Sequence, residues 1–320
     1  MSGASAPVTG SVVALCGGIG GAKLALGLSR VVAPGKLTVI VNTGDDFVHL
    51  GLHVSPDIDT VVYTLAGRSN AETGWGRAQE SWRFMEAVAE IGGETWFSLG
   101  DTDLATSAVR TARLQNGDRL TVITRDIARA LGVGCAILPV TDDALRTMVE
   151  TSEGILPFQR YFVGRKCQPE VKGLRFDGAG VARTTAEVRA ALTAPDLAAV
   201  VICPSNPYLS IDPMLAVAGL RESLASVRAP VIAVSPIVAG RALKGPLAKM
   251  MAELGKPVTQ DSILSHYGDL IDLLVVDEAD RDAVARNSRM RVAPTVMTGI
   301  DGKIALARTV LALAAGLGRS

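Results

Sequence analysis

The chain has no excess charge of either sign: Lys plus Arg and Asp plus Glu both number 32 in 320 residues. No broad field draws it to nucleic acid or to an anionic membrane, so any anion site must be local. It has no CxxC pair. Its four cysteines, Cys16, Cys135, Cys167 and Cys203, are widely spaced, and three lie in or beside predicted buried strands, which reads as free thiols in a reducing cytosol. No apolar run reaches the roughly 18 residues of a membrane span. Met1–Gly10 is small and polar and lacks both the basic region and the apolar core of a targeting segment. The expectation is a soluble cytoplasmic protein, with residues 1–10 a disordered leader and neither nucleic acid nor membrane as partner. Nor is there a Ser/His/Asp set of interpretable spacing, so a covalent nucleophile is not favoured.

What is present is a rhythm of short apolar runs between longer amphipathic stretches. The strand candidates are 12–16, 37–41, 96–99, 135–138, 197–203, 230–234 and 271–276, and most are apolar throughout rather than alternating. Such strands suit a parallel sheet covered on both faces. Helical stretches are predicted over 77–91, 104–115, 127–131, 185–192, 214–227, 246–254 and 304–317. The fold class is therefore α/β: a three-layer, doubly wound, mainly parallel Rossmann-like sheet, whose ligand sits beyond the carboxyl ends of the strands.

One region breaks the rhythm. Residues 147–176 alternate like β-strands and gather Phe158, Arg160, Tyr161 and Phe162 in a chain with only three Trp, four Tyr and six Phe. This segment is read as a small inserted cap over the strand ends, and residues 11–146 and 177–320 as the nucleotide- and metal-binding core. A planar guest and an aromatic mini-core are both compatible with the cap's composition.

The chemistry is expected in Val12–Asp59. The run ending at Cys16 breaks into Gly17-Gly18-Ile19-Gly20-Gly21 and restarts as a helix carrying Lys23. A glycine loop opening a helix offers backbone N–H groups to a phosphate, although a purely structural tight turn has the same composition. No acidic residue follows the second strand, since Asn42 and Thr43 stand there, and Lys23 precedes Leu rather than Ser or Thr. That excludes the usual dinucleotide fingerprint and the Walker loop. Four carboxylates flank the glycines: Asp45 and Asp46 after the second strand, Asp57 and Asp59 at the start of a helix. Helix capping explains such residues, as Asp57 at a helix near Ile58. Two acidic pairs around one phosphate loop would nevertheless repel without a cation, and hard oxygen ligands fit Mg2+.

Later strand ends supply further candidates. His49 and His53 flank Gly51 in a loop, where a substrate contact, for which His53 is the candidate, and plain surface exposure are both open. Asp101 and Asp103 lead into a helix that Asp103 would otherwise cap, and Ser205, Asn206 and Ser235 lie in turns able to hold a base or a phosphate. His266 is expected to make a structural hydrogen bond.

Together these segments resemble the 2-phospho-L-lactate transferase family (CofD-like and FbiA-like) of coenzyme F-420 biosynthesis. The resemblance is carried by Cys16–Leu24, Asn42-Thr-Gly-Asp-Asp46, Pro56–Leu65, Gly74-Trp-Gly76, Trp96–Thr106, Leu138–Asp143, Pro157-Phe-Gln159, Pro204-Ser-Asn-Pro207 and Ser235-Pro-Ile-Val238. It implies transfer of a phospho-three-carbon-acid unit from a GDP-linked donor to the deazaflavin Fo, with release of GMP. By position, Gly17, Gly18, Gly20, Gly21 and Lys23 would face the donor phosphates. Asp45 and Asp59 would be catalytic and, with Asp46 and Asp57, would hold Mg2+. Asn206 and the Ser235 loop would lie toward the guanosine, and Phe158, Arg160 and Tyr161 would cap the acceptor. The acid is left open among lactyl, enolpyruvyl and glyceryl units, which differ by a few atoms in one pocket.

A homodimer is expected. The rival reading is a nucleotide-sugar-binding regulator of the gluconeogenesis-factor (YvcK-like) type, against which the elements at 56–59 and 100–103 speak. An NAD-dependent oxidoreductase would need the ribose acid that is missing after Val41.

Overall fold

The computed structural model describes residues 10–70, 74–242, 245–285 and 287–317. A seven-stranded parallel sheet organises them. In chain order its strands are β1 (Ser11–Cys16), β2 (Leu37–Val41), β3 (Ala136–Pro139), β4 (Leu197–Ile202), β5 (Val231–Val234), β6 (Leu273–Val276) and β7 (Met290–Val292). Across the sheet they run β7-β6-β5-β4-β1-β2-β3, every neighbouring pair parallel. The expected α/β, doubly wound sheet is what the chain forms.

Period-two alternation explains why these strands read as unbroken apolar runs. In β1, Val13 and Leu15 enter a core on one face, together with Ile40, Val200 and Ile202. Val12, Ala14 and Cys16 enter the core on the other face with Val39, Val41 and Val201. Both faces are covered, so both sets of side chains are buried, at about 1.5–3 kcal/mol for each large aliphatic group. The first helices are α1 (Gly18–Val31), α2 (Pro56–Leu65), α3 (Arg83–Glu90), α4 (Asp101–Gln115) and α5 (Leu120–Ala130). Helix α1 packs on the helix Gly299–Leu317, where a side chain at Gly27 would meet the Lys303 carbonyl.

Several sequence expectations change. Trp96–Leu99 is not a strand but irregular chain with a bend at Trp96 and Phe97, whose rings pack on Phe47 and His49. The helix expected from 77 begins only at Arg83. The one expected over 214–227 breaks into Asp212–Leu215 and Leu220–Ser226 at Gly219, whose φ of 90° ends a right-handed helix. Strand β7 escaped notice because it is three residues long with exposed Arg291 at its centre.

His49 and His53 sit on the hairpin Phe47–His49/Leu52–Val54, whose two-residue turn places Leu50 and Gly51 at φ 50° and 78°. A second antiparallel sheet joins Arg146–Thr151 to Gly154–Pro157 and Val171–Asp177. A turn of π-helix, Arg160–Gly164, replaces the strand expected there. His266 Nε2 lies 2.9 Å from Asp212 Oδ1, the expected structural contact. No helix among the described residues is long and apolar enough to cross a membrane. The leader expected at residues 1–10 lies, apart from Gly10, outside the described residues.

Candidate active site

The sheet order reverses at β1, whose neighbours are β2 and β4. In an open α/β sheet this is where a ligand crevice forms. The Gly17 loop leaves β1 and the Pro204–Ser205 loop leaves β4, and the two are bolted together. The Gly17 N–H donates to Ser205 Oγ (3.0 Å), which in turn donates to the Gly17 carbonyl (2.8 Å). The glycines have steric reasons of their own: a Cβ on Gly20 would stand 2.4 Å from the Pro204 carbonyl oxygen, and one on Gly17 2.5 Å from Ser210 Cβ. Gly18, at φ 66°, starts α1.

Asp57 occupies part of the seat the loop makes for an anion. Its Oδ1 accepts the Gly18 N–H at 2.6 Å, so it caps α1 across the site rather than its own helix, α2. Asn42 ties the acidic group together: its Nδ2 donates to Asp45 Oδ1 (2.7 Å) and Asp57 Oδ2 (3.0 Å), while its Oδ1 accepts from Gly44 N–H (2.8 Å). Burial pushes the Asp45 carboxyl well up, aided by the charge of Asp57, and lifts Asp57 to about 6. Asp46 Oδ2 accepts from the Ser55 hydroxyl and lies 3.0 Å from His53 Nε2. His53 therefore meets Asp46 rather than the cavity.

Besides the candidate Asp103, helix α4 carries residues to which sequence reasoning gave no role. Its buried positions are Asp103, Thr106, Ser107 and Arg110, all polar. The spacing of three and four residues puts them on one face, the reverse of the usual amphipathic helix. Arg110 pairs with Asp59 Oδ1, and Tyr63 donates to Asp103 Oδ1 (2.8 Å). Burial lifts Asp103 to about 7, and it raises Asp59 against the pull of Arg110. Asp103 does not cap α4. That role falls to Glu80, whose two carboxylate oxygens accept the N–H groups of Thr102 and Asp103. Asp101 faces away from the cavity, accepting from Ser81 and from the Phe84 N–H at the start of α3.

A cavity of about 790 Å3 lies over this group. Its lining joins the glycine loop, Lys23, Ser205, Asn206 and Ser235, a floor of the buried carboxylates Asp45, Asp57, Asp59 and Asp103, and the rings of Tyr63, Trp75, Trp96, Phe97, Phe158 and Phe162. Asn42 and Thr43 are buried supports beneath it, and Gly21 packs on Ser205 and Cys16. Asn206 lends its Oδ1 to the N–H groups of Tyr208 and Leu209. A smaller cavity of about 280 Å3, lined by Asp45, Asp46, Arg146, Thr147, Phe158 and Arg160 among others, adjoins the first.

The three cap residues separate. Phe158 lines both cavities. Arg160 stacks on Trp96, 4.0 Å from the ring centroid, and pairs with Glu94. Tyr161 is fully buried in the core and touches no cavity, because the π-turn rotates it inward, whereas Phe162 lines the larger cavity instead.

The donor chemistry bears on a cation. Asp46 Oδ1 and Asp59 Oδ2 are buried without a hydrogen-bond partner, which a hard cation would relieve. Asp57 has both oxygens engaged. Among the described residues no three His, Cys, Asp or Glu side chains are grouped to hold a metal. The set fits an ion that takes one or two carboxylates and its remaining ligands from water and substrate phosphates, as Mg2+ does.

The sequence matches the family profile described as "2-phospho-L-lactate transferase CofD" over residues 12–310. It is 40% identical over 314 residues to the phosphoenolpyruvate transferase of Kitasatospora aureofaciens, covering 95% of this chain and 97% of the relative. It is 36% identical over 306 residues to the 2-phospho-L-lactate transferase of Methanosarcina acetivorans, covering 94% and 98%. Among solved structures, a UPF0052-family protein of Bacillus halodurans shares the fold at a TM-score of 0.54 and 17% identity, over 89% of this chain and 88% of that one. Fold, site and sequence agree: the chain belongs to the CofD family of 2-phospho-L-lactate and phosphoenolpyruvate transferases.

Proposed function

We propose that this protein transfers a phospho-three-carbon-acid unit from a GDP-linked donor to the ribityl hydroxyl of the deazaflavin Fo, releasing GMP, as a step of coenzyme F-420 biosynthesis. The observation that carries this is the continuity of the larger cavity. Its lining joins a glycine loop at a helix N-terminus, a floor of buried carboxylates and six of the chain's thirteen aromatic rings. Diphosphate, reacting centre and planar acceptor each find matching chemistry in that lining.

In the reaction, the acceptor oxygen forms a bond to the phosphorus that carries the acid, and the bridging P–O bond to GMP breaks. The acceptor's proton passes to a carboxylate of the floor, and Asp45, which faces both cavities, is best placed to take it. The protein's contribution is chiefly positioning. Lys23 and the first N–H groups of α1 hold the diphosphate, and the rings of Trp96, Phe158 and Phe162 orient the acceptor. Mg2+, held by Asp45 and Asp59, would offset charge on the attacked phosphoryl group and on the departing GMP. Asn42 fixes Asp45 and Asp57, and Arg110 fixes Asp59.

The test is direct. Purified protein given Fo, Mg2+ and lactyl, enolpyruvyl or glyceryl GDP-linked donors should release GMP and form a charged deazaflavin product with at least one of them. Absence of both products with every donor would falsify the proposal.

A further inference from the structure

The smaller cavity is joined to the larger one across Asp45, Trp96, Phe158 and Gln159, which line both. Its polar groups are unusual in lacking partners. Thr147 Oγ1 is buried without a hydrogen bond, as is Asp46 Oδ1. Arg146 forms no ion pair among the described residues, and its Nη1 donates only to the neighbouring Leu145 carbonyl. The second arginine of the cavity, Arg160, is already held by Glu94 and the ring of Trp96.

The Arg146–Thr147 pair is fixed in place, because the Thr147 N–H donates to the Gly44 carbonyl (2.7 Å) beside Asp45. A guanidinium without a counter-ion, in a cavity that borders Asp45, matches a small carboxylate. Charge-assisted hydrogen bonds from arginine to carboxylate are the strong, geometrically selective kind.

We infer that the smaller cavity seats the carboxylate of the donor's three-carbon acid, with Arg146 as its counter-ion. The inference rests on the transferase reading and adds to it the residues that tell an acid-bearing donor from plain GDP. With the diphosphate on the glycine loop and its outer phosphorus near Asp45, the acid unit lies where the two cavities meet, and its carboxylate extends toward Arg146. The glyceryl, lactyl and enolpyruvyl acids share that carboxylate, so this contact would be common to all three.

The experiment measures equilibrium binding by calorimetry, with Mg2+ and without Fo so that no transfer occurs. The probes are GDP, the GDP ester of the L-lactate 2-hydroxyl, and the GDP ester of ethanol, which keeps the linkage and lacks the carboxylate. Wild-type protein should prefer the lactate ester to the ethanol ester by roughly 10- to 100-fold, the usual worth of a hydrogen-bonded charge. Arg146→Gln should bring that preference close to one while leaving GDP and the ethanol ester unchanged, and Arg146→Lys should retain part of it. Unchanged GDP affinity also shows that the variant is folded. Preference that survives Arg146→Gln, equal weakening of all three ligands, or no preference in the wild type overturns the inference and leaves the transferase reading standing. If the wild type binds neither GDP nor either ester, the transferase reading fails and takes this inference with it.

Discussion

Arg110, in α4, and Asp59, in α2, form an ion pair with both side chains almost wholly out of solvent, at 1% and 7% exposure. Asp59 Oδ2 is left buried and free. The pair anchors one carboxylate oxygen and leaves the other buried beneath the cavity floor without a partner. Removing the guanidinium would strand a buried charge, for which about 3–5 kcal/mol is typical. Arg110→Met should therefore lower unfolding free energy by that order at pH 8, read by urea denaturation. The loss should shrink as pH is lowered, because burial raises Asp59 and favours its neutral form. A loss below about 1 kcal/mol at pH 8 would show that the pair is not needed for stability.

Asp45→Asn should separate chemistry from folding. The amide keeps the shape, so Asn42 retains a partner, but a charge facing both cavities is removed. Turnover is expected to fall by ~100-fold or more, the scale on which loss of electrostatic stabilisation acts, with the melting temperature unchanged or raised. Near-normal turnover at limiting Mg2+ would remove Asp45 from both of its proposed roles.

Gly20→Ala tests the bolt between the two loops. The new methyl would meet the Pro204 carbonyl oxygen at 2.4 Å, and backbone must move to admit it. GDP binding should weaken at least ~10-fold as the loop shifts, together with some loss of stability. Gly134→Ala, where nothing lies within 4 Å of the added Cβ, serves as the control and should alter neither. Equal behaviour of the two variants would mean the close contact does not shape the site.

Stability should fall as pH rises through the neutral range when no divalent cation is present. Burial raises Asp57 to about 6 and Asp103 to about 7, so the folded state holds these protons more tightly than the unfolded chain. Their contribution is complete below roughly pH 4, the unfolded value, and is lost as pH climbs through 6 and 7. Partnered surface carboxylates such as Asp101 and Asp196 act oppositely and only at lower pH, since their values are lowered. The urea midpoint should thus decline from pH 5 to pH 8, and Mg2+ should flatten the decline. A midpoint that rises over this interval contradicts the buried-carboxylate account.

Much of the scaffold was legible because each inner strand buries both of its faces, which leaves an unbroken apolar run such as Val12–Cys16. Trp96–Leu99 imitated such a run, yet its rings pack on Phe47 and His49 outside any ladder. The glycine loop and the acidic pairs were legible from composition and order. Their pairings were not, because Asp57 meets Gly18 across 39 residues and Ser205 meets Gly17 across 188. Arg110 was given no role, because a polar residue on a helix does not by itself show that its face turns inward. The signal that could have found it was the polar set Asp103, Thr106, Ser107 and Arg110 on one helical face.

The hydrogen bonds between Gly17 and Ser205 span 188 residues. At about 5–20 residues per second of ribosomal synthesis, the first half of the crevice waits roughly 10–40 s for the second. During that interval β1 lacks its β4 neighbour, and the acidic floor has no opposing wall. A nascent chain stalled before Ser205 should therefore bind no nucleotide. Competence for ligand arrives late and all at once, which makes the order of synthesis, rather than the strength of any one contact, what governs when this protein first becomes active.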